Sequence, residues 1–269
     1  MARVVEVRAR RLFTRTGVPG FDYCVNQYVG CEHACPYCYA KFVCRWKRYG
    51  PWGTWVEVKV NAPELAAREV VSGRAAMSTV SDPYQPIEAE LRLTRRVLQS
   101  MDRSTRLSIL TKSPLVVRDA DVMAEFPSLE VGLTLSGLSE EDRRWVEPRA
   151  PRHRARVRAL ERLADAGLRT YAFISPVIPG VVDPVSVAEE VGDSARYLYV
   201  ELLNLRASGA SFRRELRERR PDAYLTLRDP SRLREYVSRL REGLRNFPVR
   251  ALIAHGQSLG LGRWSLALK

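Results

Sequence analysis

GCEHACPYCYA, residues 30–40, holds three of the five cysteines of this 269-residue chain in the spacing C-x3-C-x2-C. Three thiolates within eight residues can bind one metal centre without a distant ligand, and iron–sulfur clusters are held by such thiolates. A fourth cysteine usually completes the shell, yet the chain has no second C-x-x-C pair. The spacing of Cys31, Cys35 and Cys38 therefore predicts a [4Fe–4S] cluster with one iron left open to an exogenous ligand.

A structural zinc site is the main alternative for the same cysteines. Zinc prefers four tetrahedral ligands, and His33, Cys24 or Cys44 could supply the fourth. Zinc sites, however, more often pair two C-x-x-C or Cys/His knuckles than crowd three cysteines into one loop. A disulfide framework is disfavoured, because the number of cysteines is odd and the chain is far longer than the small secreted scaffolds that need such bonds.

Composition bounds the class of protein. The chain is 45% hydrophobic and 28% charged, which is typical of a soluble globular protein with room for one large α/β domain or two small ones. No uninterrupted apolar run approaches the length of a membrane span, and residues 1–6 lack the apolar core of a signal peptide. These features predict a cytoplasmic protein, where thiols stay reduced and a cluster can survive.

The charge balance is strongly basic. The formal net charge is +13, and all but five of the 44 basic residues are arginine. Such a balance favours association with polyanions, nucleic acid first, and the clusters at 152–158, 213–214 and 219–220 suit a phosphate backbone. An arginine-rich compositional habit of the source organism explains the same numbers, so both interpretations stay open.

β-rich apolar segments alternate with helical patterns along the chain. The predicted core strands are 23–29, 75–81, 107–111, 129–135, 168–174 and 197–203, with a short strand at 56–60 and a closing strand at 249–254. Helices are predicted at 87–101, 116–125, 140–146 and 152–166, from Pro184, and after Asp229. Strands that alternate with helices predict a parallel sheet. The expected fold class is therefore α/β, a partial (β/α)6 TIM-like barrel that is open on one side for a large substrate.

Three segments are expected along the chain. Residues 1–22 are predicted to be an irregular N-terminal lead-in, residues 23–205 the partial-barrel core, and residues 206–269 a C-terminal helical extension with the closing strand. The cysteine loop follows the carboxyl end of the first core strand. In barrels of parallel strands that end carries the active site.

The chain resembles the radical S-adenosylmethionine (SAM) superfamily, and within it the branch related to spore photoproduct lyase. The resemblance is carried by the cysteine spacing with Tyr37 before the last cysteine, and by Ser81-Asp82-Pro83, Thr111-Lys112 and Glu147-Pro148; it covers about residues 21–205. In that family the open iron binds SAM, and one electron cleaves SAM into methionine and a 5′-deoxyadenosyl radical. The resemblance implies this cluster, this cosubstrate, and a low-potential electron donor such as a ferredoxin or flavodoxin.

The same resemblance implies roles for individual residues. Cys31, Cys35 and Cys38 would ligate the cluster. Ser81 and Asp82 would bind the SAM ammonium, Lys112 the methionine carboxylate, Ser136 the ribose, and Tyr37 and Val177 the adenine. A carboxylate suits a bound ammonium group. Each residue also has an ordinary structural interpretation; Asp82-Pro83, for example, is a common turn.

Two departures from the family pattern concern the product radical. The lyase has a hydrogen-donating cysteine two residues before the Ser-Asp pair, where this chain has Thr79, and a threonine hydroxyl is a poor hydrogen-atom donor. Tyr39 matches a tyrosine of that lyase's proposed radical relay, and Tyr39 and Cys44 are the candidate catalytic residues. Cys24 and Cys44 flank the loop as hydrogen-atom donors, as extra ligands, or as buried thiols.

The expected function is that of a radical SAM enzyme that abstracts hydrogen from an unidentified substrate, with nucleic acid among the candidates. The alternative from another class is a non-catalytic iron–sulfur or zinc protein that binds nucleic acid.

Overall fold

The computed structural model describes residues 2–255 and the backbone of 264–266. The described part of the chain falls into two compact units. The first lies within Met1–Ala34, Ala40–Leu133 and Arg149–Thr170, and the second within Cys35–Tyr39, Thr134–Pro148 and Tyr171–Lys269. Among the helices of the described residues, none has the length and apolarity needed to cross a bilayer.

Strands and helices alternate, as the sequence predicts. The strands are β1 Arg3–Val7, β2 Phe13–Arg15, β3 Tyr23–Val25, β4 Tyr28–Val29, β5 Trp55–Lys59, β6 Arg74–Met77, β7 Arg106–Thr111, β8 Glu130–Leu135, β9 Thr170–Val177, β10 Leu198–Leu202, β11 Val249–Ala254 and β12 Trp264–Leu266. The α-helices are α1 Ala62–Arg68, α2 Glu88–Leu91, α3 Leu93–Ser100, α4 Ala120–Met123, α5 Glu140–Val146, α6 His153–Asp165, α7 Pro184–Val191, α8 Ala210–Arg219, α9 Pro221–Arg228 and α10 Pro230–Gly243. Segments of 3₁₀-helix occupy Tyr39–Arg45, Pro114–Asp119 and Gly192–Ser194.

The first unit contains two sets of paired strands. A small sheet has the order β1-β5-β4, and a second set has the order β2-β3-β6-β7-β8. In that second set β3, β6, β7 and β8 pair in parallel, whereas β2 pairs with β3 antiparallel. The parallel strands bury apolar side chains such as Ala75, Ile109 and Val131, each with no exposed area. Their carboxyl ends therefore lie along one edge, followed by the loops that carry the candidate site.

The second unit has its own parallel strands. β9, β10 and β11 are parallel neighbours, and β12 closes this set antiparallel to β11. The long C-terminal helix α10 begins where the sequence predicts. The Asp229 carboxylate accepts hydrogen bonds from the backbone N–H groups of Ser231 and Arg232, and Pro230 occupies the first turn. The predicted closing strand at 249–254 is confirmed as β11.

The prediction of one first strand over 23–29 is wrong. β3 ends at Val25 and pairs with β6, whereas β4 begins at Tyr28 and pairs antiparallel with β5. Between them the Asn26 side chain accepts hydrogen bonds from the backbone of Thr79 and Val80. The chain thus leaves one sheet and enters another within two residues, and polar side chains there replace the strand ladder.

Two predicted helices are also interrupted. The helix expected over 87–101 breaks at Arg92, whose φ is +48°. At this break the Thr94 backbone N–H donates to Glu88 Oε2 (2.9 Å) and the Thr94 hydroxyl donates to the Pro83 carbonyl (2.5 Å). Side-chain and loop partners therefore replace intrahelical ones. The helix expected over 116–125 is a 3₁₀ segment, Pro114–Asp119, continued by α4.

The N-terminal segment is more ordered than expected. The sequence predicts an irregular lead-in over residues 1–22, but β1 and β2 form there, because β1 pairs in parallel with β5 and β2 pairs with β3. At the other end, helices α8, α9 and α10 agree with the helical character predicted after residue 206. Residues 256–263 and 267–269 of the predicted C-terminal extension lie outside the described residues.

Candidate metal and cofactor site

The cysteine segment forms two successive turns. The Ala34 N–H donates to the Cys31 carbonyl at 3.2 Å, and the Cys38 N–H donates to the Cys35 carbonyl at 3.1 Å. Cys31 and Cys35 are buried and Cys38 is half-buried. Three thiols on consecutive turns, two of them shielded from water, match the donor chemistry of an iron–sulfur cluster. Among the described residues, no three His, Cys, Asp or Glu side chains converge on a position for a single metal ion.

Two glycines allow the start of this segment to lie against the small sheet. Gly30 has φ +89°, and a Cβ there would lie 2.7 Å from the Trp55 carbonyl oxygen of β5. Gly53 has φ +84°, and a Cβ there would overlap the Cβ of Ala34. Ala34 itself has a positive φ of +53°. The backbone beside Cys31 is therefore fixed by close packing that tolerates no side chain at either glycine.

Gln85 anchors the same backbone to the loop that follows β6. Its side chain is fully buried. The Gln85 Nε2 donates to the Gly30 carbonyl (3.2 Å) and the Ser81 hydroxyl (2.8 Å), and its Oε1 accepts from the Glu32 N–H (2.9 Å). The Ser81 hydroxyl also donates to the Gly30 carbonyl at 2.7 Å. Since the Glu32 carboxylate accepts from the Ile87 N–H (2.6 Å), the two loops are joined on both sides of Cys31.

Asp82, predicted to bind the SAM ammonium, is buried and engaged by protein groups. Its Oδ1 accepts from the Thr111 hydroxyl (2.5 Å) and the Tyr84 N–H (2.9 Å), and its Oδ2 accepts from the Lys112 N–H (2.8 Å). Burial raises the pKa of this carboxyl, but the nearby His33 ring and the hydrogen bonds from Thr111 and Lys112 outweigh burial and lower the pKa to about 2. Asp82 is thus a charged link between the loops that follow β6 and β7.

His33 completes this cluster from the cysteine segment. Its ring is 2% exposed, and its Nε2 lies 3.4 Å from Asp82 Oδ2, an ion-pair distance. Neither ring nitrogen has a hydrogen bond of good geometry within the described part of the chain. Buried polar atoms normally have such a partner. The two ring nitrogens of His33 could therefore form hydrogen bonds with a group bound beside the cysteines.

In the second unit, Glu147 joins two residues predicted to contact SAM. Glu147 has no exposed area. Its Oε1 accepts from the Tyr37 hydroxyl at 2.5 Å, and its Oε2 accepts from the Ser136 hydroxyl at 3.2 Å. The Tyr37 ring also packs edge-to-face on Phe212, with ring centroids 5.9 Å apart. The structure therefore brings Tyr37 and Ser136 together on one buried carboxylate.

The other predicted SAM contacts lie at strand ends. Lys112 is half-buried and directly follows β7, and Val177 is fully buried at the end of β9. Ser81 lies in the loop after β6, where its hydroxyl is held by Gly30 and Gln85.

The two candidate catalytic residues differ in environment. Tyr39 is 51% exposed at the start of the 3₁₀ segment Tyr39–Arg45. Cys44 is half-buried and packs against the cluster of Val29, Val43 and Trp55. Burial raises the pKa of the Cys44 thiol, and the Trp55 side chain offsets part of this rise. Cys44 is therefore a protonated thiol at neutral pH, the form that can donate a hydrogen atom, whereas a metal ligand must be deprotonated.

Thr79 belongs to a polar network with Cys24. The Asn26 Nδ2 donates to Thr79 Oγ1 at 3.2 Å and to Cys24 Sγ at 3.3 Å. Cys24 Sγ also lies 3.1 Å from the Thr14 hydroxyl. The Cys24 thiol is thus buried on β3. The Asn26 side-chain amide connects it to Thr79, the position at which the family pattern has a cysteine.

One group of polar residues was missed by sequence reasoning. Ser175 on β9, Glu201 on β10 and His255 directly after β11 come from three neighbouring strands of the second unit. The Ser175 hydroxyl donates to Glu201 Oε2 (3.0 Å), and His255 Nε2 lies 2.9 Å from Glu201 Oε1. A glutamate within the apolar strand Leu198–Leu202 was the signal that would have identified this group. Gln85 carried no such signal.

Comparisons with known proteins agree with this geometry. The profile described as "Radical SAM superfamily" matches residues 25–186. An uncharacterized protein of Methanocaldococcus jannaschii is 40% identical over 87% of this chain and 90% of its own length. An uncharacterized protein of Mycobacterium tuberculosis is 34% identical over 61% of this chain. The match covers about half (52%) of the length of that relative.

The fold is similar to that of spore photoproduct lyase. The structure of that lyase complexed with a dinucleoside spore photoproduct has a TM-score of 0.64 at 16% identity, covering 93% of this chain and 82% of the lyase. A lyase variant with bound AdoMet and the dinucleoside matches with the same TM-score over 91% of this chain. The predicted fold class, an α/β partial barrel of TIM-like type, is therefore confirmed.

Proposed function

The chain belongs to the radical SAM superfamily, and we propose that Cys31, Cys35 and Cys38 hold a [4Fe–4S] cluster whose open iron binds SAM. The observation that carries this proposal is the C-x3-C-x2-C loop within the matched segment. Family membership implies this cofactor pair, which supplies a 5′-deoxyadenosyl radical when bound. The protein is accordingly an enzyme that abstracts a hydrogen atom.

Side chains at strand ends bind and orient the cosubstrate in this proposal. Lys112 binds the methionine carboxylate, Ser136 the ribose, and Tyr37 and Val177 the adenine. Ser81 and Asp82 serve the ammonium, and the contacts of Asp82 support a second role for it, because it fixes the backbone of Lys112. The buried Glu147 holds the hydroxyl groups of Tyr37 and Ser136 in place.

The substrate in this proposal is nucleic acid. The support is the net charge of +13, which attracts polyanions. Cys44 supplies the hydrogen atom that Thr79 cannot, since its thiol stays protonated, and Tyr39 relays the radical. A reducing, cytoplasmic location belongs to the same proposal, because thiolate ligands stay reduced there.

Anaerobic reconstitution with iron and sulfide tests the proposal. The expected result is a reducible cluster whose EPR spectrum changes when SAM is added, and formation of 5′-deoxyadenosine after dithionite reduction. The matched control is Cys44→Ala, which keeps all three proposed ligands, compared with Cys35→Ala, which removes one. Bound zinc, or a cluster whose EPR spectrum does not change with SAM, would contradict this proposal and support the non-catalytic iron–sulfur or zinc protein.

A salt-dependent shift of a tRNA or DNA probe tests the nucleic-acid substrate separately. Binding that weakens steeply as salt rises is expected, because phosphate contacts release counterions. Indifference to both probes would leave a protein side chain or a metabolite as the substrate.

A further inference from the structure

An exposed aromatic and basic surface follows the cysteine segment in the first unit. Trp46 is 71% exposed and Phe42 39% exposed, and their ring centroids lie 5.4 Å apart in an edge-to-face pair. Arg45 and Arg48 are exposed beside them. Large exposed aromatic side chains that contact each other mark interaction sites rather than ordinary surface.

The 3₁₀ segment sorts its side chains into two faces. Phe42 and Arg45 lie three residues apart within Tyr39–Arg45, which places them along one edge of a helix with three residues per turn. Trp46 and Arg48 lie in the turn that directly follows this helix. Val43, on another edge of the helix, is buried against Val29 and Trp55. The surface is therefore presented by the end of a 3₁₀ helix and the turn after it, and another edge of the same helix is fixed in the core.

The charge of this surface is positive. Residues 33–56 include Lys41, Arg45, Lys47 and Arg48 but no Asp or Glu. Lys47 forms an ion pair with Glu57 and Lys41 is half-buried. Arg45 and Arg48 form no ion pair with other residues in the described part of the chain, so their charge is available to an acidic partner.

The geometry points to this surface, Phe42, Arg45, Trp46 and Arg48, as the docking site of an acidic low-potential electron-transfer protein. This inference rests on the proposed function. The 3₁₀ helix begins at Tyr39, and Phe42 and Arg45 follow Cys38 by four and seven residues in the chain. The surface thus directly follows the last proposed cluster ligand in the sequence, whereas the substrate must approach SAM at the open iron.

The composition of the surface also fits this partner better than nucleic acid. Transient redox complexes have small interfaces, with aromatic and arginine residues at the centre and opposite charges that steer association. Nucleic acid needs a longer series of phosphate contacts. In the electron transfer the reduced iron–sulfur centre of the donor would lose one electron, and the cluster that Cys31, Cys35 and Cys38 would hold would gain it. No proton moves in this transfer.

Two reductants test the docking site on the cluster-loaded enzyme. An acidic [2Fe–2S] ferredoxin, kept reduced by NADPH and its reductase, must dock, whereas dithionite reduces without docking. With ferredoxin, Arg45→Glu/Arg48→Glu is expected to slow 5′-deoxyadenosine formation at least about tenfold at low salt. Trp46→Ala is expected to lower ferredoxin affinity about tenfold in biolayer interferometry. With dithionite, both variants should match the parent protein.

The matched control is Arg10→Glu/Arg11→Glu, which makes the same charge change at exposed residues of the same unit and should leave ferredoxin kinetics unaltered. Equal losses with dithionite, or unchanged ferredoxin kinetics in Arg45→Glu/Arg48→Glu, would overturn the docking site. So would loss of oligothymidine binding with normal ferredoxin kinetics, which would assign the surface to nucleic acid. If the parent protein forms no 5′-deoxyadenosine with dithionite, the proposed function fails, and the binding measurement still decides the surface.

Discussion

The Tyr37 hydroxyl donates a 2.5 Å hydrogen bond to Glu147, a residue 110 positions later in the chain. Tyr37 lies between two cysteines proposed as cluster ligands, and Glu147 ends the helix that follows β8. This bond connects the second turn of the cysteine segment to the residues that precede Pro148. The position of the turn that holds Tyr37 is therefore coupled within the second unit to Ser136, whose hydroxyl donates to the same carboxylate.

Tyr37→Phe should lower the free energy of unfolding by about 2 kcal/mol, since a hydrogen bond to a buried carboxylate is lost. Urea denaturation at neutral pH measures this. Tyr224→Phe is the control, because that hydroxyl accepts a long hydrogen bond, 3.4 Å, from the exposed Arg228, and its effect should be near zero. Equal effects of the two substitutions would show that the Glu147 bond contributes no stability.

Asp82→Asn should destabilise the protein at neutral pH by about 2 kcal/mol, the free-energy equivalent of its pKa shift. The folded pKa, about 2, lies below the ordinary value of 3.8. The stabilisation is therefore present above pH 4 and is lost as the pH falls from about 4 towards 2. Unfolding free energies of both proteins across this range should converge at the acidic end; a constant difference would contradict the charged state of Asp82.

Gln85→Ala should release the backbone beside Cys31. The Glu32 N–H loses its acceptor and Gly30 loses one of two donors, at a cost of about 2–3 kcal/mol for buried groups. We expect lower iron retention during gel filtration of reconstituted protein as well as lower stability. Gln99→Ala, at an exposed position of α3, is the control. Iron retention equal to that of the control would show that Gln85 does not position the loop.

Gly30→Ala and Gly20→Ala separate steric overlap from backbone strain. Both glycines have similar positive φ, +89° and +83°, but only at Gly30 would a Cβ approach another atom, the Trp55 carbonyl oxygen, at 2.7 Å. Each substitution should cost about 1–2 kcal/mol for the conformation alone. Gly30→Ala should lose more unfolding free energy than Gly20→Ala, because its Cβ also overlaps the Trp55 carbonyl oxygen. The difference between their urea midpoints measures this extra loss. Identical midpoints would mean that the loop can move away from β5.

Sequence patterns predict the parallel strands well, because apolar residues mark the buried positions of each strand. β7, β8, β9 and β10 fall within a few residues of the predicted positions. Sequence periodicity fails at Asn26, whose side chain accepts hydrogen bonds from a backbone segment far along the chain, and at Arg92, after which the Thr94 N–H donates to the Glu88 side chain. Periodicity carries no information about such partners, since Thr79 is 53 residues from Asn26.

The candidate site shows the same division. The proposed cluster ligands can be predicted from the sequence because all three cysteines lie within eight residues. Ser81, Lys112 and Ser136 can be predicted because they follow strand ends. Gln85, Glu201 and His255 act through contacts between separate segments, so each looks ordinary in the sequence. The roles proposed for Tyr39 and Cys44 stay predictions.

The switch of the chain from β3 to β4 has a consequence for the cysteine segment. The residues that lead into Cys31 rest on a ribbon completed by the first strand of the protein, Arg3–Val7, which pairs with β5. The strand Arg3–Val7 thus supports, through β5, the backbone that leads into the proposed cluster ligands. Deletion of residues 3–7 should lower the iron retained by reconstituted protein under conditions in which the enzyme is still folded.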